Sequence, residues 1–292
     1  MKYLFIILAV VLCGGCQKEA IDTAFIHLEP FEFSSAEGSS SNAIVDAWVY
    51  VDDVLIGGFP LPCDVPVKKS GSVKVEVFPG VRELGPNSLE LFKYVYPELY
   101  PLYERYTAQV ELALGTTDTL YPKTKYLAKA KTAFFEGFEA PPHIFNSDED
   151  KNLSTFIALS TTVKKEGLRG GVVQLDTTNN ICDVSTDLFY TIPTDNSPTY
   201  LEVDHFGNSL QFGLIGIDDV TGQRSTVLEY VLPERNEWTK NYINITRLLQ
   251  LSKLSRYKIV LRTFVRKDDS GKYVALNKTM AIDNLRLVYL QK

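Results

Sequence analysis

Chemistry-bearing residues are scarce in this chain of 292 residues. It has three histidines, His27, His143 and His205, and four cysteines, Cys13, Cys16, Cys63 and Cys182. The histidines form no H-E-x-x-H and no paired spacing, which leaves a zinc hydrolase without ligands. No G-x-S-x-G elbow, P-loop or G-x-G-x-x-G occurs, so the common serine-hydrolase, nucleotide and dinucleotide signatures are missing. No lysine or arginine cluster breaks a formal net charge of −6, which excludes the electrostatic footprint of a nucleic-acid binder. Asp148, Glu149 and Asp150 crowd one polar loop. That placement suits solvation better than the two separated carboxylates of glycoside hydrolysis. Beyond Tyr3 to Leu12 there is no long apolar run, and that one is shorter than the roughly 20 residues a spanning helix needs. No enzymatic activity is expected.

What the amino terminus does contain is ordered: Lys2, then the apolar stretch, then the small residues Cys13, Gly14 and Gly15, then Cys16. Positive, apolar, small is the order of a secretion signal. The C-x-x-C of Cys13 and Cys16 lacks the strand-to-helix context of a redox pair and the second ligand pair of a zinc site. The Gly14-Gly15-Cys16 core resembles a bacterial lipoprotein signal, although Cys13 stands where such signals carry leucine. The resemblance implies removal of residues 1–15, acylation of Cys16 and anchoring in the outer membrane, on its periplasmic or extracellular face. A single acyl chain holds only marginally, and several hold firmly. An ordinary cleaved signal is the alternative. Gln17-Lys18-Glu19 is similar to a short surface-export tag or is simply a soluble tether.

The rest reads as short strands with turn signals between them, and the expected fold class is all-β in two domains. Residues 16–42 form a tether, a first strand and a Ser-rich loop, SSAEGSSSN. In AWVYVDDVLIGGF, Trp48, Tyr50, Val54 and Ile56 alternate around a hairpin turn at Asp52-Asp53. In SVKVEVF, Val73, Val75 and Val77 share a face. Residues 49–81 resemble a PEGA-type or related immunoglobulin-like module, which implies an immunoglobulin-like sandwich over 43–129 with a structural or adhesive role. Tyr94, Tyr96, Tyr100, Tyr103 and Tyr106 follow. They are read as core formers whose hydroxyls reach water, with a sugar platform as the alternative. Cys63 and Cys182 are read as two separately buried thiols rather than a bridge.

Composition shifts near Ala128 to Lys131. Strands then run from TFIALSTTV through GGVVQLDTT, YLEVDHF, LQFGLIGID, STVLEYVL, KNYINIT and YKIVLRTFV to NLRLVYL. One helix-like piece, ITRLLQLSKLS, and a polar hairpin, RKDDSGKY, interrupt them. FEGFE (135–139), GLRGGVVQLD (167–176), EWTKNYINIT (237–246) and IDNLRLVYL (282–290) resemble the galactose-binding-like jelly rolls that include many carbohydrate-binding modules. This implies a jelly-roll sandwich over 130–292 that binds a glycan, or otherwise an envelope protein. The resemblance also implies a structural Ca²⁺ between Glu139 and Asp283. The competing reading is that Asp283 caps a strand turn through its own backbone. No other cofactor is expected. Tyr190, Tyr200 and Phe206, at strand ends, are candidate ligand platforms, and so is Trp238, for which core packing is the competing reading.

Overall fold

The computed structural model describes residues 22–84 and 98–292. The signal-like segment with Cys16, as well as Tyr94 and Tyr96, lies outside the described residues. The fold is β throughout, in two stacked sandwiches.

The first sandwich comprises β1 (Ala24–Leu28), β2 (Glu32–Ser34), β3 (Asp46–Val51), β4 (Val54–Pro60), β5 (Cys63–Val67), β6 (Gly71–Val81), β7 (Glu83–Leu84), β8 (Glu98–Leu99), β9 (Tyr106–Leu112), β10 (Thr117–Leu120) and β11 (Lys123–Lys125). Strands β4, β3, β6 and β8 pair in that order, and β9 also joins β6; opposite them β10, β1 and β5 make a smaller sheet. The strands alternate as read, but in β3 the core takes the opposite face from the Trp48 and Tyr50 singled out in the sequence, because the smaller residues between them fit the sheet opposite, and Val54 is 59% exposed. Ala47, Val49 and Val51 of β3 and Val73, Val75 and Val77 of β6 all point inward, against Ala24, Ile26 and Leu28 of β1. Strand β1 precedes the Ser-rich loop but belongs to this core. The β3–β4 turn falls at Asp52-Asp53, both with positive φ (49° and 64°). Positive φ at both central residues is the geometry that matches a hairpin's twist.

The second sandwich holds β12 (Ala130–Glu136), β13 (Ser147–Asp148), β14 (Ala158–Ser160), β15 (Gly170–Asp176), β16 (Ile181–Ser185), β17 (Thr199–Gly207), β18 (Leu210–Ile217), β19 (Arg224–Leu232), β20 (Arg235–Asn244), helix α1 (Thr246–Ser252), β21 (Arg256–Phe264) and β22 (Asn277–Leu290). One sheet runs β14-β15-β22-β17-β20-β7, with β12 also on β22; the other runs β13-β16-β21-β18-β19. Strand β17 closes tightly on β22 at Gly207 (φ +85°), where a Cβ would sit 2.2 Å from the Thr279 carbonyl oxygen. The helix-like segment is helical, burying Leu248 and Leu249 and ending at Lys253 in the left-handed region. The polar hairpin is present too, bridged at Lys267 and Tyr273. Cys63 and Cys182 are free thiols, and burial pushes them up to about 11 and about 12 respectively, which keeps them unreactive.

The two sandwiches share a buried seam. Strand β7 of the first half adds in parallel to β20 of the second half's sheet. Tyr200, Tyr242 and Val288 of that sheet join the first sandwich's core cluster. Glu202, only 1% exposed, is the hub. Tyr100 donates its hydroxyl to Glu202 Oε1 at 2.6 Å, and Tyr126 reaches both carboxylate oxygens at 2.9 and 2.8 Å. Lys240 Nζ lies 3.9 Å from Glu202 and 3.8 Å from Asp204. Arg286, 3% exposed, is packed between the rings of Tyr126 and Phe135 and donates to Ser35 Oγ and to the carbonyls of Glu37 and Ser39. It therefore pins the Ser-rich loop across the seam. Two buried carboxylates thus face two buried cations, and charges out of water are tolerated only when paired and hydrogen-bonded in this way.

Tyr100 and Tyr103 are core formers, as the sequence suggests, at 0% and 4% exposure. Their hydroxyls do not reach water as expected. Tyr100 ends on Glu202 and Tyr103 meets the Tyr242 hydroxyl at 3.3 Å, because the second sandwich covers them.

Candidate binding trough

The seam decides which surface is available. It covers the outward side of the larger sheet of the second sandwich around Tyr200, Glu202 and Asp204. The five-stranded sheet is the sheet of the second sandwich that takes no part in that seam among the described residues. On it a row of short side chains crosses four strands. The register aligns Ser147 (β13) with Ser185 (β16), Ser185 with Val260 (β21), and Val260 with Gly213 (β18). These residues alternate with Cys182, Val184, Ile259, Leu261, Phe212 and Leu214, which fill the core beneath.

Taller residues stand on both sides of this floor. One rim carries Ile215 and Lys258, which are register partners, and the other carries Asp183, Arg262 and Gln211, also partners. Ser185 and Val260 of the floor and Ile215 of one rim are 0%, 3% and 2% exposed although they point away from the core, so neighbouring side chains close over them. The result is a trough running across the strands whose floor is closed over by the side chains around it. Same-face positions repeat every ~7 Å along a strand, and strands lie ~4.8 Å apart. The rims are therefore about 14 Å apart at the backbone.

The chemistry of the rims is polar and planar. Arg262 grips Asp183 with two nitrogens. Ser185 donates to Glu149 Oε1 at 2.6 Å. Lys258 is 8% exposed, and its Nζ donates to Ser147 Oγ at 2.9 Å and sits 5.3 Å from the centre of the Phe189 ring. The guanidinium groups of Arg256 and Arg224 approach the same ring at 5.6 and 6.0 Å. Arg256 is spoken for by Asp219 at 2.6 Å. Phe189 is thus an aromatic end-stop held among three cations. Sequence reasoning passed it over. The available signal was DLFY, one aromatic either side of a strand end, and only the fold shows that Phe189 and Tyr190 point to opposite sides.

Of the four aromatic candidates from the sequence, Phe206 and Trp238 come together and Tyr190 and Tyr200 lie elsewhere. Tyr190 packs its ring on Phe134 at 4.9 Å and its backbone pairs with Tyr257, so it belongs to the core margin. Tyr200 is not a surface platform: it is 3% exposed in the seam, donates to a Glu83 carboxylate oxygen and accepts from Asn244 Nδ2 at 3.0 Å. It borders a cavity of about 460 Å³ that also includes Pro101, Tyr230 and Arg247. Phe206 and Trp238 stack at 5.7 Å and 31°, each half-buried, on the larger sheet away from the trough.

Glu139 and Asp283 meet the same loop. Asp283 Oδ2 accepts from the N–H groups of Lys165 (2.9 Å) and Glu166 (3.3 Å), and Oδ1 accepts from Asn284 N at 2.8 Å, where φ is 49°. Glu139 Oε2 accepts from Leu168 N at 2.8 Å. The carbonyls of Gly167 and Leu168 face Lys164 Nζ at 2.6 and 3.5 Å. The groups the loop turns toward the two carboxylates are N–H donors, whereas Ca²⁺ takes several oxygens. Among the described residues, no three His, Cys, Asp or Glu side chains gather in metal-binding reach. Burial raises Asp283 to about 6. The histidines are built into local structure: His27 on Asp64, His143 between Ile157 and Phe145, His205 on the Asn208 carbonyl.

No protein-family model matches the sequence, and no curated protein matches it. Solved structures that match part of the chain include carbohydrate-binding modules. The CBM22-1 xylan-binding domain of Paenibacillus barcinonensis Xyn10C is 12% identical with a TM-score of 0.35, over 57% of this chain and 99% of that one. A family 30 carbohydrate-binding module is 15% identical with a TM-score of 0.37, over 56% and 88%. A structure of carbohydrate-binding modules from the β-sandwich superfamily, described as promiscuous in specificity, covers 83% of this chain and 84% of its own at 10% identity and a TM-score of 0.35. Identities and superpositions this low assign no ligand to the chain.

Proposed function

We propose that the protein is a non-catalytic carbohydrate-binding component of a bacterial envelope, held to the outer membrane by a lipid on Cys16. The observation that carries the glycan reading is the trough. It has a floor of short side chains, rims of planar hydrogen-bonding groups and an aromatic ring at one end. A saccharide presents C–H faces to such a ring and hydroxyls, both donor and acceptor, to such rims. The first sandwich, read as the immunoglobulin-like or PEGA-like module, acts as a rigid pedestal, since its seam with the second is buried and charge-balanced.

Isothermal titration of the full chain against neutral and acidic oligosaccharides tests this. Phe189→Ala and Lys258→Met are each expected to weaken the bound member about tenfold, the value of about 1.4 kcal/mol. Silence across the panel, with retained binding to an envelope protein that either substitution weakens, favours an adhesion or assembly role instead. Mass spectrometry of the native protein tests the anchor, and an unmodified Cys16 thiol would remove it. A calcium ion at Glu139 and Asp283 is a separate proposal: added Ca²⁺ raises the melting temperature of the wild type and not of Asp283→Asn if the ion binds there.

A further inference from the structure

The larger sheet of the first sandwich carries an aromatic stripe on the side away from its core. The inward residues of β3 are Ala47, Val49 and Val51, so Asp46, Trp48 and Tyr50 point the other way. The register places Trp48 beside Phe78 of β6 and Gly58 of β4, Tyr50 beside Glu76 and Leu55, and Asp46 beside Gly80. Tyr50 and Phe78 meet edge to face at 5.4 Å, and the Arg105 guanidinium lies 5.6 Å from the Phe78 ring while its Nε pairs with Glu76 at 3.1 Å. Leu55 is 46% exposed at the hairpin end of this stripe. The outcome is an aromatic platform with glycines on its flank, on the side of the sheet opposite the core.

Among the described residues, two polar atoms in this platform lack hydrogen-bond partners. Asp46 Oδ2 and Trp48 Nε1 are both buried and neither makes a hydrogen bond. Asp46 is 3% exposed, and the nearest cation, Arg82 Nε, stands 3.7 Å from Oδ2, beyond hydrogen-bond range. The Arg82 side chain is itself 60% exposed, so it is a flexible cover that can swing aside. Native proteins satisfy the great majority of buried polar atoms, because each orphan costs about 1–3 kcal/mol. Here one acceptor and one donor are orphaned two residues apart on one strand and on one face, about 7 Å at the backbone. A protein strand offers fixed N–H and C=O groups. A sugar ring offers hydroxyls that donate and accept at that spacing, with C–H faces for Trp48 and Phe78.

We propose that this face is a second saccharide-binding surface, in which one sugar ring donates a hydroxyl proton to Asp46 Oδ2 and accepts the Trp48 indole N–H. The surface is independent of the trough. A two-site protein of this kind would hold a polymeric glycan with an avidity neither face supplies alone.

The chain has two tryptophans, so in Trp238→Phe all tryptophan emission comes from Trp48. That variant of the full chain is titrated with neutral hexasaccharides of xylose, glucose, mannose and galactose, to about 10 mM, a range that captures dissociation constants near 1 mM. The expected result is a saturable change in emission with at least one sugar, shifted about tenfold to higher concentration by adding Asp46→Ala. If Asp46→Ala fails to fold, Trp48→Phe in the otherwise natural chain, followed calorimetrically, gives a comparable loss for removal of the indole with its N–H. No emission change with any sugar overturns the proposal. So does a change that Asp46→Ala leaves intact, or one that follows protein concentration without sugar and marks self-association. Phe189→Ala leaves the Trp48 signal unmoved, so failure of the trough and failure of this face are read separately.

Discussion

Replacing Glu202 by leucine tests the account of the seam. The carboxylate accepts from two buried tyrosine hydroxyls, and hydrogen bonds to a charged group contribute about 1.5–3 kcal/mol each. Leucine removes both, strands the Tyr100 hydroxyl at 0% exposure and leaves Lys240 with Asp204 alone. Burying the new side chain offsets about 1.5 kcal/mol. The net cost is about 3–4 kcal/mol, or about 10 °C in melting temperature for a chain of this size. Glu202→Gln keeps one acceptor and is expected to cost about half as much. Urea unfolding, read by emission from Trp48 in one single-tryptophan variant and from Trp238 in the other, reports each sandwich separately. The transitions coincide in the natural chain and separate in Glu202→Leu. Tyr100→Phe costs about 2 kcal/mol alone and nothing on top of Glu202→Leu, since its hydroxyl then has no acceptor to lose. Additivity of the two within about 0.5 kcal/mol would refute the reasoning.

Two buried titrating groups pull stability in opposite directions with pH. Asp283 is raised to about 6 from an unfolded value of 3.8, so the folded chain takes up its proton first. Its contribution therefore improves as pH falls from 7 to 4, by about 3 kcal/mol at most. His205 is lowered to about 4 by burial, so the unfolded chain takes up that proton first and stability falls by a similar amount between pH 6.5 and 4. Melts across this range show the natural chain gaining on Asp283→Asn and losing to His205→Gln as acid is added; curves parallel to the natural chain's would contradict both. Arg286→Met removes three hydrogen bonds and a cation between two rings, and about 2–4 kcal/mol is expected to go with them. Limited proteolysis would then cut within residues 34–42, and a loop as resistant as before would show that the arginine does not pin it.

Period-two alternation made the strands legible, because a half-buried pleated sheet writes its inward face into the sequence. Ser72 to Phe78 and the helix around Leu248 and Leu249 fold as read; the hairpin from Trp48 to Phe59 forms where read, but with its smaller residues rather than Trp48 and Tyr50 turned to the core. The double-aspartate turn was legible from its position between two such runs, since short polar residues tolerate positive φ. The two thiols were legible as separate from their distance along the chain. What alternation does not record is what covers the second face of a sheet. Tyr200 reads as a strand-end aromatic, and only the docking of a sandwich contributed by residues a hundred positions away makes it interior.

The sequence alone determined the all-β class, the places where strands turn and the near-absence of the usual catalytic signatures. These are set by local sterics, side-chain period and residue inventory. The tertiary structure decided the rest: that Glu202 would find Tyr100 and Tyr126, that Ser147, Ser185, Val260 and Gly213 would line up across four strands, and that Asp46 Oδ2 and Trp48 Nε1 would be left without hydrogen bonds among the described residues. Each depends on register between distant strands, and a register slip of one residue would turn every such side chain to the other face.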